Sequence, residues 1–235
     1  MPAEPVLPFM DALIHNAALY WAAAIVATLA VATWSARRAQ LDAWTMYLVG
    51  IGGLVGAWFG GEAFAWLNGG SVPGGSDPGA KGMFGALVGA SGGAWSVLRW
   101  RAARFMGYAD SAAPAVALGY AVYRIGCFLN GCCFGTVSDV PWAVTFARGS
   151  EAYAYQVATG VLAPEGTHSL FVHPTELYHA LLGVVAFILL LRARDNAAGT
   201  RLAMALFLYG SGRFVIQFFR GDAATIWGPL DANHI

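Results

Sequence analysis

The sequence predicts an all-α membrane protein with about six transmembrane helices and a small external head. Three observations predict it. Of the 235 residues, 58% are hydrophobic and only 11% are charged, and the mean hydropathy is +0.57. A soluble domain carries about 25% charged residues to cover its water-facing surface, so this chain has too few for a globule of its size. Long uncharged stretches alternate with short arginine-bearing loops. The arginines of those loops fall mostly on one side of an alternating topology.

A helix needs roughly 20 mainly apolar residues to cross the hydrocarbon. Asn16–Ala36, Ala43–Gly61, Gly82–Leu98, Leu177–Leu191 and Leu202–Phe219 meet or nearly meet that standard, the last interrupted only by Arg213. A sixth stretch, Ser111 to Leu129, is interrupted only by Arg124. The first stretch competes with a cleaved signal peptide. No Lys or Arg precedes it, and Arg37 and Arg38 follow it, so a retained helix with its C-terminal end in the cytoplasm is expected.

With that loop inside, the inside loops also hold Arg99, Arg101, Arg104, Arg192, Arg194 and Arg201. Lys81, Arg148 and Arg220 fall outside. Eight basic residues against three obey the positive-inside rule and put the N-terminus outside. The same topology puts Asn68–Lys81 and Asn130–Val172 outside. The whole chain, 1–235, is then one polytopic membrane domain, with 130–172 as an external head insertion. Formal net charge is zero, which gives no sign of nucleic-acid binding.

Charged groups at membrane depth are costly, roughly 2.5–3.5 kcal/mol for arginine at a helix centre on insertion scales. They normally face a bundle interior or a wet cavity. Arg124 and Arg213 are therefore the leading site candidates, with Arg220 at the outer end of the last helix. Snorkelling to the headgroup layer is the competing reading for Arg220, and it is hardest for Arg213. Guanidinium groups match phosphate oxygens in a two-pronged way. Two or three of them inside a lipid-facing bundle suggest a bound phosphate ester, for which a phospholipid headgroup is the nearest source.

Glu62 lies near the outer end of the second helix. Glu176 opens the fifth after His173-Pro174-Thr175, where it either meets the helix dipole or serves the site. Glycines at 50, 52, 53, 56, 60 and 61, and at 82, 85, 89, 92 and 93, line the second and third helices and predict close backbone packing. Cys127, Cys132 and Cys133, with His173, match no familiar zinc spacing. Plain buried thiols are expected, with a disulfide from Cys127 as the alternative. No metal or other cofactor is expected.

Three motifs resemble one known family. Tyr123-Arg124-Ile125-Gly126-Cys127-Phe128-Leu129-Asn130-Gly131-Cys132-Cys133-Phe134-Gly135 is similar to the signature Arg-x-Gly-Asn-Phe-x-Asn-Gly-Glu, with a glycine three residues on, of prolipoprotein diacylglyceryl transferases. His173-Pro174-Thr175-Glu176-Leu177-Tyr178 resembles the family's His-Pro-Ser-Gln-Leu-Tyr. Tyr209-Gly210-Ser211-Gly212-Arg213-Phe214 with Gln217-Phe218-Phe219-Arg220 resembles Tyr-Gly-x-x-Arg-Phe…Glu-Phe-x-Arg. The resemblance runs from about Gly82 to Asp222.

Departures accompany it. Phe84 stands where the family has a functional histidine, Cys127 replaces the signature asparagine, Cys132 its glutamate, and Gln217 a glutamate. Tyr20 is the one candidate for the family's N-terminal tyrosine, and no counterpart of a seventh helix precedes Ile235.

The resemblance implies transfer of diacylglyceryl from phosphatidylglycerol to a cysteine thiol of a lipoprotein precursor peptide, at the bacterial cytoplasmic (inner) membrane. Arg124 and Arg213 would stabilise the phosphate's growing charge. Asn130, Gly135, Tyr209 and Arg220 would hold the headgroup. A base for the thiol falls to Glu176, His173 or His179, because the family histidine is replaced. A related transferase with another acceptor, or a non-catalytic phospholipid-binding protein, remains open.

Overall fold

The computed structural model describes residues 17–67, 80–193, 197–221, 225–227 and 230–231. The larger part of the expected external segment Asn68–Lys81 lies outside the described residues, as does Arg194. Among the described residues seven helices follow one another: α1 Ala17–Arg38, α2 Ala43–Leu67, α3 Ala80–Trp100, α4 Phe105–Asn130, α5 Glu151–Ala158, α6 Thr175–Arg192 and α7 Thr200–Gln217. A short antiparallel pair, β1 Thr225–Trp227 and β2 Leu230–Asp231, follows. The architecture is that of an all-α membrane protein.

All six expected crossings are helical over their predicted cores. Four of the helices, Ala18–Arg38 of α1 with α2, α4 and α6, are long and apolar enough to cross a membrane. The helices α3 and α7 run for 21 and 18 residues but are less apolar, since α3 carries five glycines with Lys81 and Arg99, and α7 carries Arg201 and Arg213. Two helices exceed expectation: α2 runs on past Gly61 and takes in Glu62, and α4 starts at Phe105 and passes through Pro114. Proline in a helix interior removes a backbone donor and costs about 3 kcal/mol. Here Ala113, Pro114 and Ala115 are all buried, and packing outweighs that cost.

The described residues divide into two compact units. One holds Leu29–Ala115 and is built on the antiparallel pair α2 and α3. Gly52, Gly56 and Gly60 face Gly93, Gly89 and Gly85 in turn, so that a Cβ at any of the six would run into the facing helix, mostly its backbone. Beside the pair, Ala32, Ala36, Met46, Leu98, Tyr108 and Ala115 form a buried apolar cluster.

Two carboxylates fix helix starts in this unit. Asp42 caps α2, accepting from the Thr45 amide at 3.0 Å and the Thr45 hydroxyl at 2.5 Å, and Arg101 bridges to it at 3.1 Å. The Thr45 bonds hold the Asp42 carboxyl below its ordinary value. That contribution is present above the unfolded carboxylate range and fades as pH falls through the lowered value. Asp110, from α4, accepts from the amides of Gly199 at 2.7 Å and Leu202 at 2.9 Å, satisfying two donors that open α7. Replacing Asp110 by alanine is expected to cost about 1–3 kcal/mol in unfolding from mixed micelles, and hydrogen exchange at Gly199 and Leu202 is expected to quicken.

The second unit holds Val116–Arg194 and the greater part of α7. Its head is stitched by bridges of Val172 to Val137 and Val144, and of Ala147 to His168. Phe134, Phe146, Ala152 and Val172 make its core. Ser150 caps α5 by accepting from the Tyr153 amide at 3.2 Å.

Candidate functional site

Each candidate residue of the site belongs to this second unit. Arg124 lies near the C-terminal end of α4 and is 8% exposed. Its guanidinium carbon stands 5.0 Å from the Tyr120 ring centroid and 5.7 Å from that of Tyr123. Two aromatic faces thus carry part of the cost of burying a cation. Tyr120 lies one turn before Arg124, on the same helix face. Its hydroxyl meets Nδ1 of His179 at 2.9 Å, and its ring packs edge-on against both His179 and Tyr209, the latter at 5.4 Å.

Glu176 and His179 are three apart on α6, so they share a face. Both are fully buried. Neither carboxylate oxygen of Glu176, nor Nε2 of His179, nor Nε of Arg124 bonds to another residue among those described. Buried polar atoms are ordinarily paired, so three orphaned groups together mark a place where a ligand completes the bonding. Electrostatics give the ligand's sign: Arg124, Arg213 and Arg220 all bear on His179, and Arg124 and Arg220 bear on Glu176. Three guanidiniums against the Glu176 carboxylate and the Cys133 thiol still leave room for an anion.

The three motifs are tied together by backbone. The Gly135 amide donates to the His173 carbonyl at 3.0 Å, the Thr136 amide to the Phe219 carbonyl at 2.8 Å, and the His173 amide to the Thr136 carbonyl at 3.0 Å. Gly135 also forms a bridge with Arg220. A Cβ at 135 would lie 2.5 Å from the His173 carbonyl oxygen and 2.7 Å from that of Phe219. Position 135 therefore requires glycine because two other segments press against it.

The remaining expected residues have more local roles. Asn130 donates to the Gly126 carbonyl at 3.0 Å. His173 pairs through Nδ1 with the Tyr178 hydroxyl at 3.0 Å and packs against Phe219, and Tyr178 in turn accepts from Trp142 Nε1 at 2.7 Å. Tyr209 is exposed and Arg213 half-buried. Tyr20 packs directly on Gly126 of the signature. Phe84, on α3 in the other unit, is 61% exposed. Glu62 likewise belongs to that unit.

Tyr120 escaped the sequence reading as a site residue. The signal for Tyr120 was its spacing of four from Arg124. Gln217, noted only as a replaced glutamate, is 2% exposed. No disulfide joins Cys127, Cys132 and Cys133. The Cys127 and Cys132 thiols next to Cys133 hold the Cys133 thiol far below the ordinary thiol range, and Arg220 and Arg124 add to this. Changing Tyr120 to phenylalanine leaves both ring nitrogens of His179 unbonded. The expected cost is about 1–3 kcal/mol of stability, measured by unfolding in mixed micelles.

The family profile described as prolipoprotein diacylglyceryl transferase matches residues 6–235. Relatives named phosphatidylglycerol–prolipoprotein diacylglyceryl transferase include one from Leifsonia xyli subsp. xyli, 34% identical over 61% of this chain and 41% of its own length. Another, from Geobacter sulfurreducens, is 34% identical over 67% of this chain and 56% of its own. A third, from Chromobacterium violaceum, is 36% identical over 52% of this chain and 46% of its own. The chain spans about half the length of the curated relatives it matches. On the match over nearly its full length, with three motifs in order and joined at Gly135, the chain belongs to the prolipoprotein diacylglyceryl transferase family.

Proposed function

We propose that the chain transfers diacylglyceryl from phosphatidylglycerol to the cysteine thiol of a lipoprotein precursor, within the bacterial cytoplasmic membrane. The observation that carries this reading is that Arg124, Arg213 and Arg220, from the signature motif and the last motif, all bear electrostatically on the buried His179. Fixed cations at a place where negative charge develops lower the barrier without reorganising during reaction. The names of the relatives support the same substrates.

The acceptor sulfur attacks the glyceryl carbon that bears the phosphate. A carbon–sulfur bond forms, the carbon–oxygen bond to phosphorus breaks, and glycerol phosphate leaves with that electron pair. Arg124 and Arg213 stabilise the departing phosphate, with Arg220 and the Tyr209 hydroxyl at its edge. The thiol's proton passes to the Glu176 carboxylate, an orphaned acceptor of the site. His173 positions, through Tyr178 and Phe219. Asn130 and Gly135 shape the loop that carries the signature. One polytopic domain with the N-terminus outside and 130–172 as an external head puts this chemistry at the outer face, in keeping with the eight basic residues assigned inside.

A second reading keeps the lipid donor and changes the acceptor. It is favoured by Phe84 at the family's histidine position and by Cys127 and Cys132 in place of asparagine and glutamate. Purified full chain in vesicles holding labelled phosphatidylglycerol, given a lipobox peptide, separates the two. Glycerol phosphate release with peptide lipidation is the expected result. Release without peptide labelling moves the assignment to another acceptor. No release from either overturns catalysis, and lipid binding that disappears in Arg213→Ala then marks a binding protein.

A further inference from the structure

Three sulfurs meet where α4 ends. The Sγ atoms of Cys127, Cys132 and Cys133 all lie within 4.8 Å of one another, Cys127 buried and the other two half-buried. The transfer chemistry above uses none of them. Their meeting depends on how the chain turns. Cys127 sits in the last turn of the helix, and the two others follow it in a reversal made by left-handed backbone at Gly131 (φ 65°) and Cys133 (φ 63°).

Position 131 needs glycine twice over, since a Cβ there would also lie 2.8 Å from Ser150 Cβ. The Cys132 amide donates to the Cys127 carbonyl at 3.2 Å, and the Thr175 hydroxyl donates to the Cys133 carbonyl at 2.7 Å. A non-glycine residue in the left-handed region persists only where its surroundings enforce it, and such residues gather at active sites and ligand clamps. The trio is thus held together by helix, turn and a bond from α6.

We propose that Cys127, Cys132 and Cys133 form a three-thiolate binding site for a soft d¹⁰ metal ion of the Cu(I) type. Thiolates are soft donors that favour Cu(I), zinc and iron–sulfur clusters. With metal–sulfur bonds of about 2.3 Å, three sulfurs around one ion stand about 4 Å apart, which the cluster accommodates. Among the described residues no His, Asp or Glu joins the three within that span. A zinc ion seeks four ligands, whereas three soft sulfurs satisfy a monovalent copper ion.

Charge agrees as well. Three thiolates around Cu(I) carry a net charge of −2, and Arg124, three residues before Cys127 on α4, shares its helix face. On binding, the thiols that still carry protons release them to solvent, and neither copper nor sulfur changes oxidation state.

The test uses the full chain in detergent, reduced and anaerobic, titrated with Cu(I) against a competing chelator. One equivalent per chain is expected, with a thiolate-to-copper absorption in the near ultraviolet and protection of all three thiols from maleimide. Cys127→Ser, Cys132→Ser and Cys133→Ser should each weaken binding by roughly a hundredfold or more. Where a serine variant fails to fold, thiol protection in the unaltered chain decides. Binding no tighter than to the triple-serine variant overturns the proposal. So does displacement of Cu(I) by Zn(II), or a disulfide between any two of the three in protein isolated without reductant.

Discussion

Arg213→Ala is expected to lower the proposed glycerol phosphate release by about 10²–10³-fold, the loss seen when one fixed donor to a developing anion is removed. Arg124→Lys, which keeps the charge and discards the fork, is expected to lower it by roughly 10–100-fold, because a point charge cannot bond two phosphate oxygens side by side. These variants are preferred to Arg124→Ala for a physical reason. Arg124 is buried against Tyr120 and Tyr123 and acts on the fully buried Glu176. Deleting it empties a buried place packed against two aromatic rings and confuses catalysis with folding.

Arg213 is half-buried, so its alanine variant should unfold near the unaltered chain. Comparing turnover with phospholipid binding then assigns the effect. If both fall together, the guanidinium grips the ground-state headgroup. If turnover falls alone, it acts on the leaving phosphate. Unchanged release in both Arg213→Ala and Arg124→Lys excludes the proposed phosphate grip.

Gly56→Val and Gly89→Val are expected to abolish accumulation of the folded protein. At each position even a methyl group would overlap the facing carbonyl oxygen, so the helices must separate or unwind. Overpacking a well-packed site costs about 1–3 kcal/mol, and here the obstacle is backbone that has no rotamer to change. A loss above about 4 kcal/mol is expected, a size reserved for a few mechanisms. In lipid, no hydrophobic force restores the lost contact between helices, since association depends on close packing and hydrogen bonding. Gly92→Ala is the control: nothing lies within 4 Å of a Cβ there, and it should match the unaltered chain in yield and in unfolding from mixed micelles. Equal yields for Gly56→Val and Gly92→Ala would show that the α2–α3 seam is not close-packed.

The six long helices were legible because lipid imposes a simple demand on composition, and runs of uncharged residues answer it without reference to partners. The glycine seam was legible for a related reason. Spacings of four along two neighbouring helices admit few uses other than backbone contact. Helix ends were less so. Pro114 marks a boundary by local rule, and only the burial of Ala113 and Ala115 explains why α4 runs through it. Glu62 likewise lies inside α2, where local pattern placed it near the end.

In the site, the arginines declared themselves by their cost at membrane depth. The residues that orient them did not. Tyr120 is one of nine tyrosines in a chain rich in aromatic residues, and its meaning comes from His179, fifty-nine positions away. Gly135 was read through its motif as a headgroup contact, whereas the coordinates give it a backbone reason, visible only once His173 and Phe219 are brought beside it. The cysteine trio shows the same limit. Its spacing matches no familiar pattern because a left-handed turn at 131 and 133, rather than a helical or hairpin repeat, folds the sulfurs back.

The crossing at Gly135 also governs when the protein becomes competent. Its neighbours are contributed by segments made at well-separated times during synthesis, the last of them following α7. Until that helix has left the translocation channel, the Thr136 amide has no carbonyl to meet, and Arg213 and Arg220 have not arrived. A half-inserted chain thus holds one of the three arginines, and the proposed phosphate grip cannot form before the bundle is whole.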